Sequence, residues 1–203
     1  MAVTGMTQVE RAALSDERMA DAAVELICDL GPSATTLTAV GLRAGYSRGL
    51  ASNRFGSKAG LWSFLVSTIG EEWLKELHDA VDGTSGLQTI HAAVDAHCAF
   101  LLESSDRTRA FYSLWFESVG PDPELRALIG RAHARRRRDV EGWIEAGIAH
   151  GSIPPDVAKT VIAEQFCASI VGIVYSWLGA PLAHAEVRRL HDGLKQQMTL
   201  ALT

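Results

Sequence analysis

Apolar residues recur at intervals of three and four along nearly the whole chain, and no segment alternates strictly enough for a strand, so the pattern predicts an all-α protein of about nine helices. The first is expected from Ser15 or Asp16 to Leu30, with Met19, Ala22, Ala23, Leu26 and Leu30 on one face and Gly31-Pro32 as its stop. Thr35 or Thr36 is placed to cap a short second helix carrying Leu37, Val40 and Ala44, and Ser47 a third in which Ala51 and Phe55 face inward. Ser57 opens a longer fourth, whose stripe Trp62, Val66, Ile69, Trp73, Leu77 runs to Asp82-Gly83. Further helices are expected from the 82–86 linker to Leu102, from Arg107 to Val119, from Pro123 to His150, from Pro155 to Leu178, and from Ala183 to the end. Pro or Gly marks most of the junctions.

Composition places this pattern in a folded chain: 47% of the residues are hydrophobic and 21% charged. The net charge of −5 excludes a protein that coats nucleic acid through a general excess of Lys and Arg. That charge is unevenly spread. Residues 43–58 hold Arg43, Arg48, Arg54 and Lys58 and no acid, whereas residues 10–29 hold six acids. Cys28, Cys98 and Cys167 are far apart and set in apolar helical patterns, which indicates neither a disulfide framework nor a zinc site and fits a reducing cytoplasm. No apolar run is read as reaching the roughly 18 to 20 residues of a membrane helix, and the first 18 residues do not read as a signal peptide, so a cytoplasmic protein without a membrane partner is expected.

The chemistry concentrates in residues 35–61, TTLTAVGLRAGYSRGLASNRFGSKAGL. Two short helices joined at Ala44-Gly45-Tyr46 make a helix-turn-helix, whose second helix would enter the major groove of DNA. Arg48, Leu50, Ser52, Asn53 and Arg54 lie on its outward side, a mixture of groups able to pair with base edges, touch a thymine methyl or meet a phosphate. Lys58 is placed to neutralise a flanking phosphate, and Thr36 and Ser47 to bind phosphates at helix starts.

These residues resemble the DNA-binding motif of the TetR family of bacterial regulators. Thr36, Ala44, Gly45, Ser47, Gly49, Phe55, Ser57, Lys58 and Leu61 stand in register with it, and Leu37 and Val40 are close apolar replacements. Ala51-Ser52 stands where the family usually has Leu-Tyr, and Arg54 where it has His or Tyr, so a common phosphate or base contact passes to Ser52 or Arg54. The resemblance implies a DNA-binding domain over 1–57 and a helical effector-binding and dimerisation domain over 58–203. It further implies a homodimeric repressor, released from a palindromic double-stranded operator by a small molecule, with no cofactor and no enzymatic activity. An activator or a ligand-independent regulator would carry the same DNA-binding residues.

The resemblance places the effector pocket on the middle helices, where Trp73, Phe100, Phe111, Trp115, Phe116 and Phe166 are candidate walls and Glu72 and His97 candidate polar contacts. It places the dimer interface on the last two, where Phe166, Ile170, Val174, Trp177, Leu190 and Leu194 would meet their twofold copies.

Three other patterns suggest different chemistry at first sight. Gly45-Tyr46-Ser47-Arg48-Gly49 satisfies the GxSxG of a serine hydrolase elbow, but that elbow follows a strand and this one follows a helical pattern. Arg135 to Arg138 point in four directions around a helix, with Asp139 and Glu141 beside them, and read as a solvated face. Seven histidines supply no metal-ligand spacing, so no metal is expected.

Overall fold

The computed structural model describes residues 7–180 and 182–203, all in helices and the turns between them. The helices are α1 (Gln8–Leu30), α2 (Leu37–Arg43), α3 (Leu50–Phe55), α4 (Lys58–Val81), α5 (Leu87–Glu103), α6 (Ser105–Glu117), α7 (Pro123–Ala149), α8 (Lys159–Gly179) and α9 (His184–Leu202). The all-α expectation holds, and most boundaries fall within two or three residues of those expected.

Helix α1 starts a full two turns before Ser15. Thr7 and Glu10 form a reciprocal capping box, the Thr7 hydroxyl accepting from the Glu10 amide at 3.2 Å and the Glu10 carboxylate from the Thr7 amide at 2.7 Å. Val9 in that first stretch is 79% exposed, so the cap rather than burial sets the start. At the other correction, Ser47 does not cap α3. Gly49 occupies that position without a side-chain hydrogen bond, and the Ser47 carbonyl accepts from the Leu50 amide instead.

The described chain forms two compact units. The first comprises residues up to Gly70 together with Asp106–Arg126. Its buried side chains include Met19, Ala23 and Ile27 of α1, Val40 of α2, Ala51 of α3, and Leu61, Leu65 and Ile69 of α4. Helix α6 is tied to the α1 region by Arg107 to Asp21 at 2.6 Å and by the Ser33 hydroxyl donating to Glu117 at 2.6 Å.

The second unit comprises Glu71–Ser105 and Ala127–Thr203. Its core joins Ile90 and Val94 of α5, Val140 and Ile144 of α7, Phe166, Cys167 and Ile170 of α8, and Leu194, Met198 and Leu202 of α9. The end of α7 passes the start of α5 so closely that a Cβ on Gly147 would lie 2.9 Å from the Gly86 Cα and 2.5 Å from Ile153 Cδ1. Only a residue without a side chain fits there.

Helix α8 corrects the expectation about membrane-length segments. At 21 residues it is long and apolar enough to cross a bilayer by length and composition. Much of its apolar face is nevertheless buried against the rest of the chain, through Ile162, Phe166, Ile170, Ile173, Val174 and Trp177, while Val161 and Tyr175 stay exposed. The low charge of α8 is that of a core helix.

Candidate nucleic-acid interface

The turn between α2 and α3 is built from three local choices. Thr36 caps α2 by accepting from the Ala39 amide at 3.1 Å. The α2 end is closed at Gly45, whose φ of 81° lies in the left-handed region that glycine enters freely. The Tyr46 amide then donates back to the Gly41 carbonyl at 2.8 Å, which turns the chain toward α3. A helix, α2, therefore precedes Ser47, and the strand that a hydrolase elbow requires is not what stands there.

Helix α3 buries Ala51 completely and half-buries Phe55, whose ring meets Phe64 at 5.0 Å. Arg48, just before the helix, and Asn53 and Arg54 within it are exposed, and Leu50 and Ser52 are half-buried. Thr36 and Ser47 are exposed as well, and all of these predicted contact residues belong to the first unit.

The electrostatics of that region were not legible in the motif. Arg54 forms a two-bond fork with Asp16 of α1, Nε to Oδ1 at 2.7 Å and Nη2 to Oδ2 at 2.6 Å. Arg43 reaches Glu25 at 3.0 Å and Asp29 at 3.4 Å, also on α1. Lys58 Nζ donates to the Ser33 carbonyl at 2.8 Å and sits 5.5 Å from the Trp62 ring centre. These carboxylates raise the pKa of Arg54 and of Arg43, chiefly through the hydrogen bonds themselves. Among the described residues, Arg48 is the basic side chain of the 43–58 segment that no carboxylate or carbonyl engages. Three of the six acids of residues 10–29, Asp16, Glu25 and Asp29, are partners of this basic stretch.

The candidate pocket residues divide between the units. Phe111, Trp115 and Phe116 lie half-buried on α6 in the first, where Phe111 and Trp115 stack around buried Tyr112 at 5.3 to 5.9 Å. Glu72, Trp73, His97, Phe100 and Phe166 lie in the second. Glu72 and Phe100 border an open groove of about 810 Å³ between α4 and α5, and Trp73 packs on Phe100 at 5.5 Å and edge-on against His97 at 5.7 Å. Phe166 is 3% exposed within the core of the second unit.

His97 is also buried, paired with His191 at 3.0 Å from Nδ1 to Nε2. The Val187 carbonyl can only accept, so His191 Nδ1 carries a proton and donates to it at 2.8 Å, leaving Nε2 to accept from His97. Both rings are thereby neutral. Burial first, then the electrostatic cost of protonating it beside His191 and the Arg136 cation, hold His97 well below the usual histidine range. Burial lowers His191 as well, opposed by its bond to Val187 and by Asp95 and Asp192.

This pair predicts a pH dependence. The folded chain keeps both rings unprotonated while the unfolded chain takes up protons below about pH 6.5, so the unfolded state binds more protons and stability falls with pH there. The loss approaches about 1.4 kcal/mol per pH unit for each histidine. The urea midpoint should be flat from pH 8 to 7 and fall from 6.5 to 5.5, and His97→Gln should remove part of that slope. A midpoint level down to pH 5.5 would refute the assignment.

The basic run on α7 is a solvated face only in part: Arg131, Arg135 and Arg138 are exposed, whereas Arg136 and Arg137 are half-buried, with Arg137 pairing with Glu164 of α8 at 3.3 Å. The predicted interface residues of α8 and α9 are mostly buried inside their own chain: Ile170 and Leu194 at 2%, Val174 at 0%, Trp177 at 7%, with Leu190 partly buried against the core. Their apolar character, read as a surface awaiting a partner, is used within one chain.

Comparison with known proteins agrees with this architecture. Residues 20–63 match the family model of bacterial regulatory proteins of the tetR family. No curated protein sequence matches the chain. Among solved structures, a TetR transcription regulator from Haloarcula marismortui superposes with a TM-score of 0.81 at 16% identity, covering 94% of this chain and 100% of that one. GusR of Salmonella enterica gives 0.78 at 17% identity, covering 97% and 98%. FadR of Bacillus subtilis, solved with stearoyl-CoA, gives 0.77 at 17%, covering 92% and 99%. Residues 20–63 thus match the tetR family of bacterial regulatory proteins over the helix-turn-helix, and the described chain shares the fold of these solved structures.

Proposed function

We propose that the chain is a sequence-specific, homodimeric repressor that reads a palindromic double-stranded operator and leaves it when a small molecule binds the second unit. The observation that carries the DNA reading is the exposed Arg48 at the entry to α3, on a turn fixed by Thr36 and Gly45 within the family-matched segment. Arg48 and Asn53 are assigned to base edges, with Leu50, Ser52 and the exposed hydroxyls of Thr36 and Ser47 at the margins. The functional boundary is placed at 57/58, where α4 begins. Stearoyl-CoA in FadR supports a sizeable effector with an apolar portion, because this chain shares that fold.

A twofold operator needs two heads, and α8 and α9 supply a face for a second copy. Tyr175 is 65% and Leu200 83% exposed, and Ser169, Gly172, Ser176 and Gly193 line an open groove between the two helices. Small residues of this kind permit close helix approach across a twofold axis. Tyr175→Arg should therefore yield a monomer in sedimentation at micromolar concentration with unchanged helicity. A wild-type chain that is already monomeric there contradicts the dimer.

The repressor reading is tested in a reporter cell carrying a promoter interrupted by a duplex that the protein selects from random DNA. Expression should fall when the protein is made. Expression that rises would mean an activator.

A further inference from the structure

Resting on the DNA-binding reading, we propose that Asp16 is a positioning residue for sequence recognition: through its fork to Arg54 it fixes how α3 is rolled about its own axis. Helix α3 has six residues, too few to hold a helical shape without tertiary support. Its start has no side-chain cap, and its wholly buried footing is the single methyl of Ala51. Ala51 and the half-buried Phe55 sit one turn apart on one side. The line through these two is the main apolar footing of so short a helix, and the half-buried Leu50 and Ser52 add little resistance to rotation about it.

Arg54 acts off that line. A two-bond fork fixes the plane of the guanidinium as well as its distance, which one ammonium contact does not. The anchor is firm. Asp16 is 23% exposed, and it lies one turn before Met19 and Ala20, which are 1% and 2% exposed. Arg43, held by Glu25 and Asp29, secures the end of α2 to the same helix. Helix α1 thus holds both helices of the motif by charge, and Arg48 and Asn53 are presented at an angle that α1 dictates.

Arg54 is committed to Asp16 and adds no phosphate contact. Exposed ion pairs add little to stability, so loss of the fork leaves the fold intact while releasing the orientation.

The test uses the intact protein and two duplexes, one selected by the wild type from a random pool and one of scrambled sequence and equal composition. Asp16→Asn, Arg54→Gln and the double variant should each lower the preference for the selected duplex by the same factor, about three- to tenfold, as expected of partners in one interaction. Arg54→Lys should fall between wild type and Arg54→Gln, and the salt dependence should not change. The proposal is overturned if Asp16→Asn keeps the wild-type preference. It is equally overturned if Arg54→Gln weakens both duplexes alike and flattens the salt slope by about one unit, which would make Arg54 a phosphate contact. A wild type that selects no duplex would overturn the DNA-binding reading and this inference together, whereas a selective wild type with an indifferent Asp16→Asn overturns the inference alone.

Discussion

Replacing Arg48 with alanine is expected to lower the preference for a selected duplex over a scrambled one by about ten- to a hundredfold, with melting temperature and helicity unchanged. The magnitude follows from the 1 to 3 kcal/mol that a well-placed bidentate base contact contributes to discrimination. Arg48 is singled out because the other basic residues of its segment are occupied: Arg43 and Arg54 by acids of α1, and Lys58 by the Ser33 carbonyl. It is exposed, so its removal leaves no cavity. Mobility shifts of both duplexes at two salt concentrations measure the effect. An equal loss on both duplexes would make Arg48 a phosphate contact, and no loss on either would remove it from the interface.

The second large effect is on stability. Phe166→Ala should cost about 3 to 5 kcal/mol, the range for deleting a buried aromatic and leaving its cavity. Phe166 is 3% exposed and sits among Val94, Ile144, Ile162 and Ile170, residues from three helices that cannot all close over the space. Set against typical total stabilities of about 5 to 15 kcal/mol, this moves the denaturation midpoint far, and it should do so with little dependence on protein concentration beyond that of the wild type. If Phe166 instead met a second chain, the variant would unfold near the wild-type midpoint and sediment as a monomer.

That contrast shows where the sequence was legible. Helical periodicity and the turn residues gave the helices, and the register of Thr36, Gly45, Phe55 and Lys58 gave the motif, because those positions answer to local rules of capping, turning and spacing. Apolar residues on α8 were equally visible, but periodicity reports that a face is covered without reporting by what. Phe166, Ile170, Val174 and Trp177 are covered by their own chain, and the exposed Tyr175 and Leu200 gave no distinguishing pattern.

The same limit applies to charge. Asp16 and Arg54 are 38 residues apart, and nothing in either local pattern announces a fork between them. Their pairing could have been suspected from the acids of α1 facing a basic segment in a short-connected helical unit. Likewise His97, a candidate ligand contact, and His191 meet across 94 residues as a buried couple. Long-range polar pairs of this kind are the part of the site that only the fold reveals.

If the proposed function holds, α2, its turn and α3 read a DNA sequence with twofold symmetry. The most direct measurement is selection from a random duplex pool by the purified wild-type protein, followed by footprinting on the enriched sequence. One enriched motif of two inverted half-sites is expected, protected on successive major-groove faces and lost with Arg48→Ala. An unenriched pool, or binding that is uniform across sequences and vanishes with modest salt, would contradict it.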